Sequence, residues 1–487
     1  VITQGLQIIQ EHAKQRSDND DDSNDSRHPK LLPRRQMLDL LIELMSNTSG
    51  RVQSHAVACF LDVAHSASGE VGESGKQTAL AQPDEIDSLI NALENPLAAV
   101  RDAALRALMI VKKAFPTEKS DYDQLLRLTR RLWISKFDVS DENKVLANEI
   151  WETVGFNSSN GEILCEELIQ DIAHPVEPIQ QAVAHALANL LHSNPHLLPD
   201  ILEKLLKLYH EKLAMVPPKL NDFGRVVEQP IDIWAPRRGV ALALAQLAPL
   251  LTPTTILPLI QFYVSNGLGD RNSIVRQEML TAALAAVDLH GKSNITCLLP
   301  VFEEFMDKAP KIGSFDSIKQ AVVILMGSLA RHLDKDDPRI KPIVMRLIAA
   351  LSTPAQPVQE AVANCLPHLV PSIKDEAPKI VDKLMDQLLK SDKYGERKGA
   401  AYGLAGIIKG MGILALKQLD IMTTLTNAIQ DKKNYRHREG ALFAFEMLCT
   451  MLGRLFEPYI VHVLPHLLLC FGDSSQYVRA ATDDTAK

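Results

Sequence analysis

Hydrophobic residues recur along the chain at the three- and four-residue intervals of helices that bury one face. Ile201, Leu202, Leu205 and Leu208 show this spacing in one such segment. A short turn containing Asp, Asn or Ser usually follows, and these side chains accept the free N–H groups at the start of a helix. The next segment is rich in alanine, which lets helix backbones approach closely. Each unit therefore predicts two antiparallel helices.

The same turn and second helix are repeated along the chain. The clearest copies begin at Asn95, Asp270 and Asp473, and each continues through Val-Arg into an apolar helical segment. With the valine or its equivalent as the anchor, the copies lie at positions 52, 100, 143, 179, 237, 275, 318, 358, 397, 436 and 478. Most of the gaps lie near 40–47 residues, the period of HEAT and armadillo repeats. Prolines and a glycine in the longest gap predict a loop insertion between positions 179 and 237.

One helical hairpin cannot bury both of its faces, so neighbouring hairpins must stack. The sequence therefore predicts an all-α, HEAT/armadillo-type right-handed α-solenoid of about eleven helical-hairpin repeats. We place HEAT repeats over residues 1–233 and 234–487. An acidic low-complexity loop near 17–26 is expected to be disordered, and a Gly/Ser-rich loop is expected near 66–82. We expect the aspartate and the arginine six residues later, at 270/276 and 473/479, to form a ladder between repeats.

Composition narrows the class of protein further. The 487 residues exceed the size of a single core, and only 5% are aromatic, so leucine, alanine, valine and isoleucine must fill the interior. The net charge of −8 leaves only local patches for contact with nucleic acid, and no apolar run is long enough to predict a membrane span. Six scattered cysteines without a C-x-x-C pair are typical of a reducing compartment. A start at Val1 and an end within a predicted helix indicate a fragment of a longer protein.

No catalytic or cofactor motif is complete. Gly72–Gln77 resembles the end of a phosphate-binding loop but lacks its first glycine, its Ser/Thr and its preceding strand. Gly410–Ala415 has the letters of a dinucleotide fingerprint, but it follows a helical segment and is expected to end a helix. His462 and His466 share a helix face without carboxylates to complete a metal site. We therefore expect no enzyme activity, no metal and no cofactor.

Local basic charge is more informative. Residues 390–438 contain ten Lys/Arg and five acids, although the whole chain is acidic. Two clusters lie at equivalent positions of successive repeats and should share one edge of the stack. We predict phosphate neutralisation on RNA, with possible base stacking by the tyrosine, for Arg397, Lys398, Lys432, Lys433, Tyr435, Arg436 and Arg438. Contact with an acidic protein partner and a solvated surface stay open as alternatives for these residues. Arg127, Arg130 and Arg131 form a weaker patch, and there we favour a charged edge that is neutralised by nearby acidic side chains.

Several strings resemble the general control nonderepressible family of HEAT-repeat translational activators. The resemblance is dense from Trp234 onward and diffuse before it. The strings are ERKGAAYGLAG (396–406), KGMGI (409–413), DKKNYRHREGALFAFE (431–446), LLPVFEEF (298–305) and LPHLLLCFGD (464–473).

The resemblance implies a non-catalytic cytoplasmic scaffold that binds ribosomes, especially stalled and collided ones, when amino acids run short. It also implies help in activating the kinase that phosphorylates initiation factor two alpha, through a docking segment expected outside this chain. The later residues resemble the HEAT domain of elongation factor three, a region that binds an ABC-class ATPase in the family. The alternative is a protein-binding HEAT scaffold such as a nuclear transport receptor or a phosphatase scaffold, and an enzyme is the third class.

Overall fold

A computed structural model describes residues 1–18, 33–72, 75, 77–156, 161–309 and 316–487. Helices dominate these residues, which form two compact units, Val1–Leu250 and Leu251–Lys487. Each unit stacks paired helices in two layers, so the predicted all-α HEAT-type solenoid is confirmed. The predicted acidic loop near 17–26 lies outside the described residues, except for the end of the first helix.

The first unit is built from five helical hairpins that follow one unpaired helix, counted over its described residues. Within it, the helices from α2 to α11 pair in sequence order, and α1, α3, α5 and α7 lie side by side in the second layer. The helices are α1 (Ile2–Asp18), α2 (Arg34–Asn47), α3 (Gly50–His65), α4 (Pro83–Ala92), α5 (Ala98–Ile110), α6 (Tyr122–Ser135), α7 (Asp141–Val154), α8 (Gly161–Ile172), α9 (Glu177–Ser193), α10 (Leu198–Glu211) and α11 (Ala235–Leu247). Short 3-10 turns occupy Lys112–Ala114, Pro195–Leu197 and Ala248–Leu250.

The second unit continues the two-layer pattern. Its helices are α12 (Pro253–Ser265), α13 (Ser273–Lys308), α14 (Asp316–Ala330), α15 (Ile340–Ala350), α16 (Gln356–Leu369), α17 (Ala377–Lys390), α18 (Tyr394–Met411), α19 (Ala415–Gln418), α20 (Ile421–Ile429), α21 (Tyr435–Leu452), α22 (Glu457–Cys470) and α23 (Gln476–Ala486). Its 3-10 turns are Gly267–Gly269, Val370–Ser372 and Gly453–Phe456. In the second layer α13, α14, α16, α18, α21 and α23 pack in succession.

The helix α13 serves two repeats. Its backbone leaves the helical region at Asn294 (φ −123°, ψ 17°), which divides its 36 residues into two arms. The first arm is the second helix of the α12 repeat, and the second arm leads the repeat completed by α14. No loop of the usual kind separates these two repeats.

The predicted repeat register is confirmed. Across the described residues, all eleven anchor positions lie on the second, third or fourth residue of a second-layer helix. These helices are α3, α5, α7, α9, α11, α13, α14, α16, α18, α21 and α23. The anchors are apolar in most copies because the first turn of the second helix packs into the core; Val100, Val275 and Val478 are fully buried.

The arginine that follows the anchor closes its own turn. Arg276 donates to the Asp270 carbonyl at 2.6 Å, and Arg479 donates to the Asp473 carbonyl at 2.6 Å. Arg276 and Arg479 therefore close their own turns and do not join repeats through these contacts. The expected Asp–Arg ladder between repeats exists with other arginines: the buried Arg101 binds the Asp138 carboxylate of the next turn at 2.7 and 2.9 Å, and Arg438 binds the Asp473 carboxylate at 2.8 and 2.9 Å.

Two glycines allow the start of a second helix to lie close to the C-terminal end of the first helix of the preceding hairpin. A Cβ atom at Gly239 would lie 1.9 Å from the Ile172 carbonyl oxygen, and one at Gly399 would lie 1.8 Å from the Leu351 carbonyl oxygen. The same carbonyls accept hydrogen bonds from Gln180 at 3.0 Å and from Gln359 at 3.1 Å. The two glutamines also donate to a carbonyl just before or within the next second helix, at 2.8 and 2.9 Å. Only glycine leaves room for this contact.

The predicted insertion before α11 forms an antiparallel hairpin of β1 (Lys219–Leu220) and β2 (Val226–Glu228). Phe223 at its tip is 88% exposed. The base is fixed by the buried Arg237, which donates to both carboxylate oxygens of Asp232 at 2.9 and 2.8 Å and to the Lys212 carbonyl at 2.9 Å. The insertion is therefore an anchored projection.

Two further segments bear on the sequence predictions. In the Gly/Ser-rich loop near 66–82, antiparallel bridges join Ser68 to Leu80 and Val71 to Gln77. The stretch Tyr435–Cys470 is long and apolar enough to cross a membrane by length and composition. The sequence analysis does not predict this candidate membrane span. In the structure, the 3-10 turn after Gly453 divides this stretch into α21 and α22, which both pack in the helix stack.

Candidate nucleic-acid interface

The two basic clusters lie at neighbouring turns, before α18 and before α21. An ion pair between Arg436 and Asp392 connects the two turns directly. The repeat register predicts this proximity, since equivalent turns of stacked hairpins share one edge. We call this surface, residues 390–398 and 431–438, the basic edge.

Local hydrogen bonds shape the turn that carries most of the positive charge. The Asp431 carboxylate accepts the Lys433 backbone N–H at 2.9 Å and lies 2.9 Å from Nδ1 of His437. These two contacts hold the pKa of Asp431 below its ordinary value. Asn434 caps α21 by accepting the Arg436 N–H at 3.0 Å. The turn therefore presents Lys432 and Lys433 at its exposed apex.

Three of the seven predicted contact residues are largely withdrawn from solvent by partners in the next repeat. Arg397 is buried and donates to the Glu439 carboxylate at 2.6 Å. Lys398 binds Glu446 at 2.6 Å and lies 4.7 Å from the centre of a phenylalanine ring. Arg438 is buried and forms two hydrogen bonds, of 2.8 and 2.9 Å, with a carboxylate of the following turn.

These contacts explain why the positive charges of Arg397, Lys398 and Arg438 are less available to RNA than the sequence predicts. Each basic head already has a carboxylate partner 35 to 48 residues away, and burial raises the cost of removing it from that partner. The geometry gives these three residues a role in joining repeats. The cationic groups left for an external anion are those at the exposed apex.

The exposed members of the basic edge are different. In the described part of the chain, the ammonium groups of Lys432 and Lys433 have no carboxylate within ion-pair distance. Lys393, another exposed lysine of this edge, lies 3.4 Å from Glu396. Arg436 is half-exposed and forms an ion pair with the exposed Asp392. Two uncompensated cations at the apex are thus the groups of this edge that are most accessible to an external anion.

Aromatic residues follow the same edge. Tyr394 and Tyr435 begin α18 and α21, and Tyr477 is the second residue of α23. Tyr435 stacks on Tyr477 with ring centres 5.7 Å apart, and the Arg436 guanidinium lies 5.8 Å from the Tyr435 ring centre. Tyr394 and Tyr477 are more than half exposed. Sequence reasoning singled out Tyr435 alone; an aromatic residue at the start of three successive second helices was the signal for the other two.

A cavity of about 620 Å³ adjoins the basic edge between α20 and α22. Lys432, Gln430 and His466 contribute polar groups to its wall, and Leu469 contributes an exposed apolar one. Gln430 Nε2 lies 3.4 Å from His466 Nδ1. The cavity therefore lies directly beside the exposed Lys432, on the side of α22.

The weaker arginine patch on α6 is neutralised, as predicted. Arg127 binds Asp87 at 3.0 Å, and Arg130 binds Glu167 at 2.7 Å. Arg131 contacts Asp171 at 2.8 Å. Burial is the main cause that raises the pKa of this aspartate, against the lowering effect of the arginines. The acidic side chains of these neighbours thus neutralise the positive charge of the patch.

The motifs set aside in the sequence have local structural explanations. Gly412 follows the last residue of α18 with a φ of 98°, so it ends a helix as expected. Three residues of the Gly72–Gln77 string, at positions 73, 74 and 76, lie outside the described residues. Among the described residues, no group of three His, Cys, Asp or Glu side chains is arranged to hold a metal ion.

Comparison with protein families finds two matching regions. Residues 119–331 match the family model described as "Stalled ribosome sensor GCN1, HEAT repeats". Residues 397–487, which include most of the basic edge, match the model described as "EF3 N-terminal HEAT repeat".

Comparison with individual proteins agrees with these matches. The chain is 51% identical over 464 residues to the human "Stalled ribosome sensor GCN1", which covers 95% of this chain and 17% of that protein. It is 32% identical over 465 residues to the "eIF-2-alpha kinase activator GCN1" of Saccharomyces cerevisiae, which covers 94% of this chain and 16% of that protein. The chain thus spans about one sixth of the length of these relatives. A solved structure of Kap121p superimposes with a TM-score of 0.43 at 14% identity, over 99% of this chain and 49% of that one.

Proposed function

The chain belongs to the GCN1 family of HEAT-repeat proteins, and we propose that it is a non-catalytic scaffold segment that binds the ribosome through the basic edge. The observation that carries this proposal is the pair of uncompensated lysines, Lys432 and Lys433, beside a row of tyrosines. Lysines neutralise backbone phosphates without reading sequence, and exposed aromatic rings stack on unpaired bases. Ribosomal RNA offers both features.

Each residue of the basic edge has a separate part in this proposal. Lys432 and Lys433 supply the charge that meets phosphate, and Arg436 adds to it when it exchanges Asp392 for an RNA oxygen. Tyr435 supports the exposed ring of Tyr477, which offers a free face to a base. Arg397, Lys398 and Arg438 hold the two turns in register rather than touching RNA.

The names of the relatives support a wider role that we propose for the same protein. It would act in the cytoplasm on stalled or collided ribosomes and help to activate the kinase that phosphorylates initiation factor two alpha during amino-acid starvation. Residues 397–487 would contribute to the binding of an ABC-class ATPase partner. Contacts along a long scaffold are individually weak and sum by multivalency. No contact among the described residues favours the transport-receptor or phosphatase-scaffold alternative.

The test is ribosome co-sedimentation of the full-length protein that carries K432E and K433E. We expect the bound fraction to fall at least threefold at moderate salt, and the salt dependence of binding to become less steep because two phosphate contacts are lost. The matched control is K379E with K383E, which reverses two exposed lysines on α17, away from the basic edge.

Unchanged sedimentation of the K432E/K433E protein, or an equal loss in the control, would refute the site. A Y477A variant separates stacking from charge. It should weaken binding without altering the salt slope, whereas an edge that acts by charge alone would leave its binding unchanged.

A further inference from the structure

A cleft of about 410 Å³ lies in the second unit, far along the sequence from the basic edge. Three neighbouring second-layer helices form it: α13 and α16 supply the walls, and α14 lies between them. Gly327 and Ser328 of α14 line the cleft. A Cβ atom at Gly327 would lie 2.9 Å from the Leu347 side chain, so glycine here allows close packing of α14. A volume of this size falls in the range of sites that hold small ligands or short peptide segments.

The walls combine apolar and amide groups. Leu280, Leu284 and Ile324 line the cleft with aliphatic side chains. Gln277 on α13 and Asn364 on α16 face it from opposite walls. Within the described residues, the side-chain amides of these two have no hydrogen-bond partner, so each has a donor and an acceptor to offer. Amides in this arrangement suit the N–H and C=O groups of an extended polypeptide backbone.

The cleft has a net negative charge once the ion pair within it is set aside. Asp288 binds the Ser328 hydroxyl and lies 3.1 Å from Arg331, so its charge is compensated. Glu360 is exposed at the rim and has no cationic partner in the described part of the chain. One uncompensated carboxylate beside an apolar wall favours a ligand with a basic group next to an apolar one.

The chemistry of the cleft is that of binding rather than catalysis. Its cysteine, Cys365, is the candidate nucleophile, but burial raises the pKa of the thiol to about 12. A thiol with that pKa stays protonated at neutral pH and is a poor nucleophile. His368 and Arg331 add further polar groups to the lining.

From these features we infer that the α13–α14–α16 cleft binds an extended segment of a partner polypeptide in which an aliphatic residue adjoins a lysine or arginine. The aliphatic side chain lies against Leu280, Leu284 and Ile324, and the basic side chain reaches Glu360. Gln277 and Asn364 hold the backbone of the segment between them. This inference does not depend on the ribosome proposal, because the cleft shares no residue with the basic edge.

The experiment is a selection of random seven-residue phage-displayed peptides on the full-length protein. Peptides that also bind the A361W variant are removed first, because an indole on this lining residue fills the cleft. We expect the enriched peptides to share an aliphatic residue next to Lys or Arg. Their synthetic forms, labelled with fluorescein, should bind the wild-type protein at least tenfold more tightly than A361W.

Two milder variants guard against a folding defect in A361W. E360K should weaken the basic peptides at least fivefold and favour counterparts in which glutamate replaces the basic residue. N364A should weaken both kinds of peptide equally, because it removes a backbone contact. Enrichment of peptides without a basic residue, equal affinity for E360K, or no enrichment over A361W would each overturn the inference.

Discussion

The guanidinium of Arg438 meets the carboxylate of Asp473 through two hydrogen bonds, of 2.8 and 2.9 Å, and so joins α21 to the turn before α23. The third arm of the guanidinium donates to the Asp431 carbonyl at 2.8 Å, within its own turn. Arg397 makes a related contact one hairpin earlier, with one hydrogen bond to the Glu439 carboxylate at 2.6 Å and one to the Ser391 carbonyl at 3.0 Å. A single arginine thus closes its own turn and binds the next repeat.

Replacement of Arg438 by alanine should loosen the last repeat of the second unit. The change leaves the Asp473 carboxylate and the Asp431 carbonyl without their donor, at a cost of about 2 kcal/mol. That corresponds to a roughly thirtyfold rise in local opening. Hydrogen exchange across α22 and α23 measures it. The control R436A removes an exposed ion pair, which contributes little to stability because water screens it, and an equal effect of both variants would contradict the prediction.

Acid should weaken the same contact. The hydrogen bonds from Arg438 hold the pKa of Asp473 below its ordinary value. A carboxyl group with a lowered folded-state pKa adds stability above its unfolded-state pKa and loses it as the pH falls through the folded-state value. Melting of the last repeat should therefore become easier below about pH 4. D473N should be less stable at neutral pH and less sensitive to acid, and a D473N protein with the wild-type acid response would disprove this.

Alanine at Gly399 should separate two helices. The new Cβ would lie 1.8 Å from the Leu351 carbonyl oxygen, a backbone atom that cannot turn away. We expect a loss of about 1–3 kcal/mol, the usual cost of overpacking. Chemical unfolding followed by circular dichroism measures it. G5A is the control, because nothing lies within 4 Å of a Cβ there and alanine favours a helix. A G399A protein as stable as wild type would rule out the close approach.

Loss of the Arg237 side chain should free the β1–β2 hairpin. Asp232 and the Lys212 carbonyl would each lose a donor, although the helices that flank the insertion keep their apolar contacts. Trypsin should then cleave after the exposed Arg225 at least tenfold faster in R237A. K207A, which removes one end of a weak exposed pair on α10, serves as the control. An unchanged cleavage rate would show that the hydrogen bonds of Arg237 do not hold the hairpin.

The sequence predicts the fold well because the repeat signal is local. The anchors at Val100, Val275 and Val478 mark the buried first turn of a second helix. Before Val275, the turn residue Asn272 also caps that helix with its side chain. Similar reasoning predicts the insertion before α11, since prolines and a glycine interrupt the period. The continuous helix α13 could not be predicted in this way, because Gly291, Ser293 and Asn294 have the composition of a turn, whereas the structure has only a bend there.

The candidate site was predicted only in part. Sequence position placed Arg397 and Lys433 on the same edge, and the structure agrees. Whether a cation is free or paired depends on carboxylates in the next repeat, such as Glu439 for Arg397, at separations that no local pattern reveals. The exposure of the turn apex is therefore visible only in the folded structure.

The helix α13 links two repeats directly, since its arms meet at Asn294 without an intervening loop. A change in that bend would tilt the α12 hairpin against the α14 helix with no loop to absorb it. The first arm is also one wall of the peptide cleft, whereas α14 and α16 form the rest. We therefore expect the width of the cleft to follow any change in the angle at Asn294.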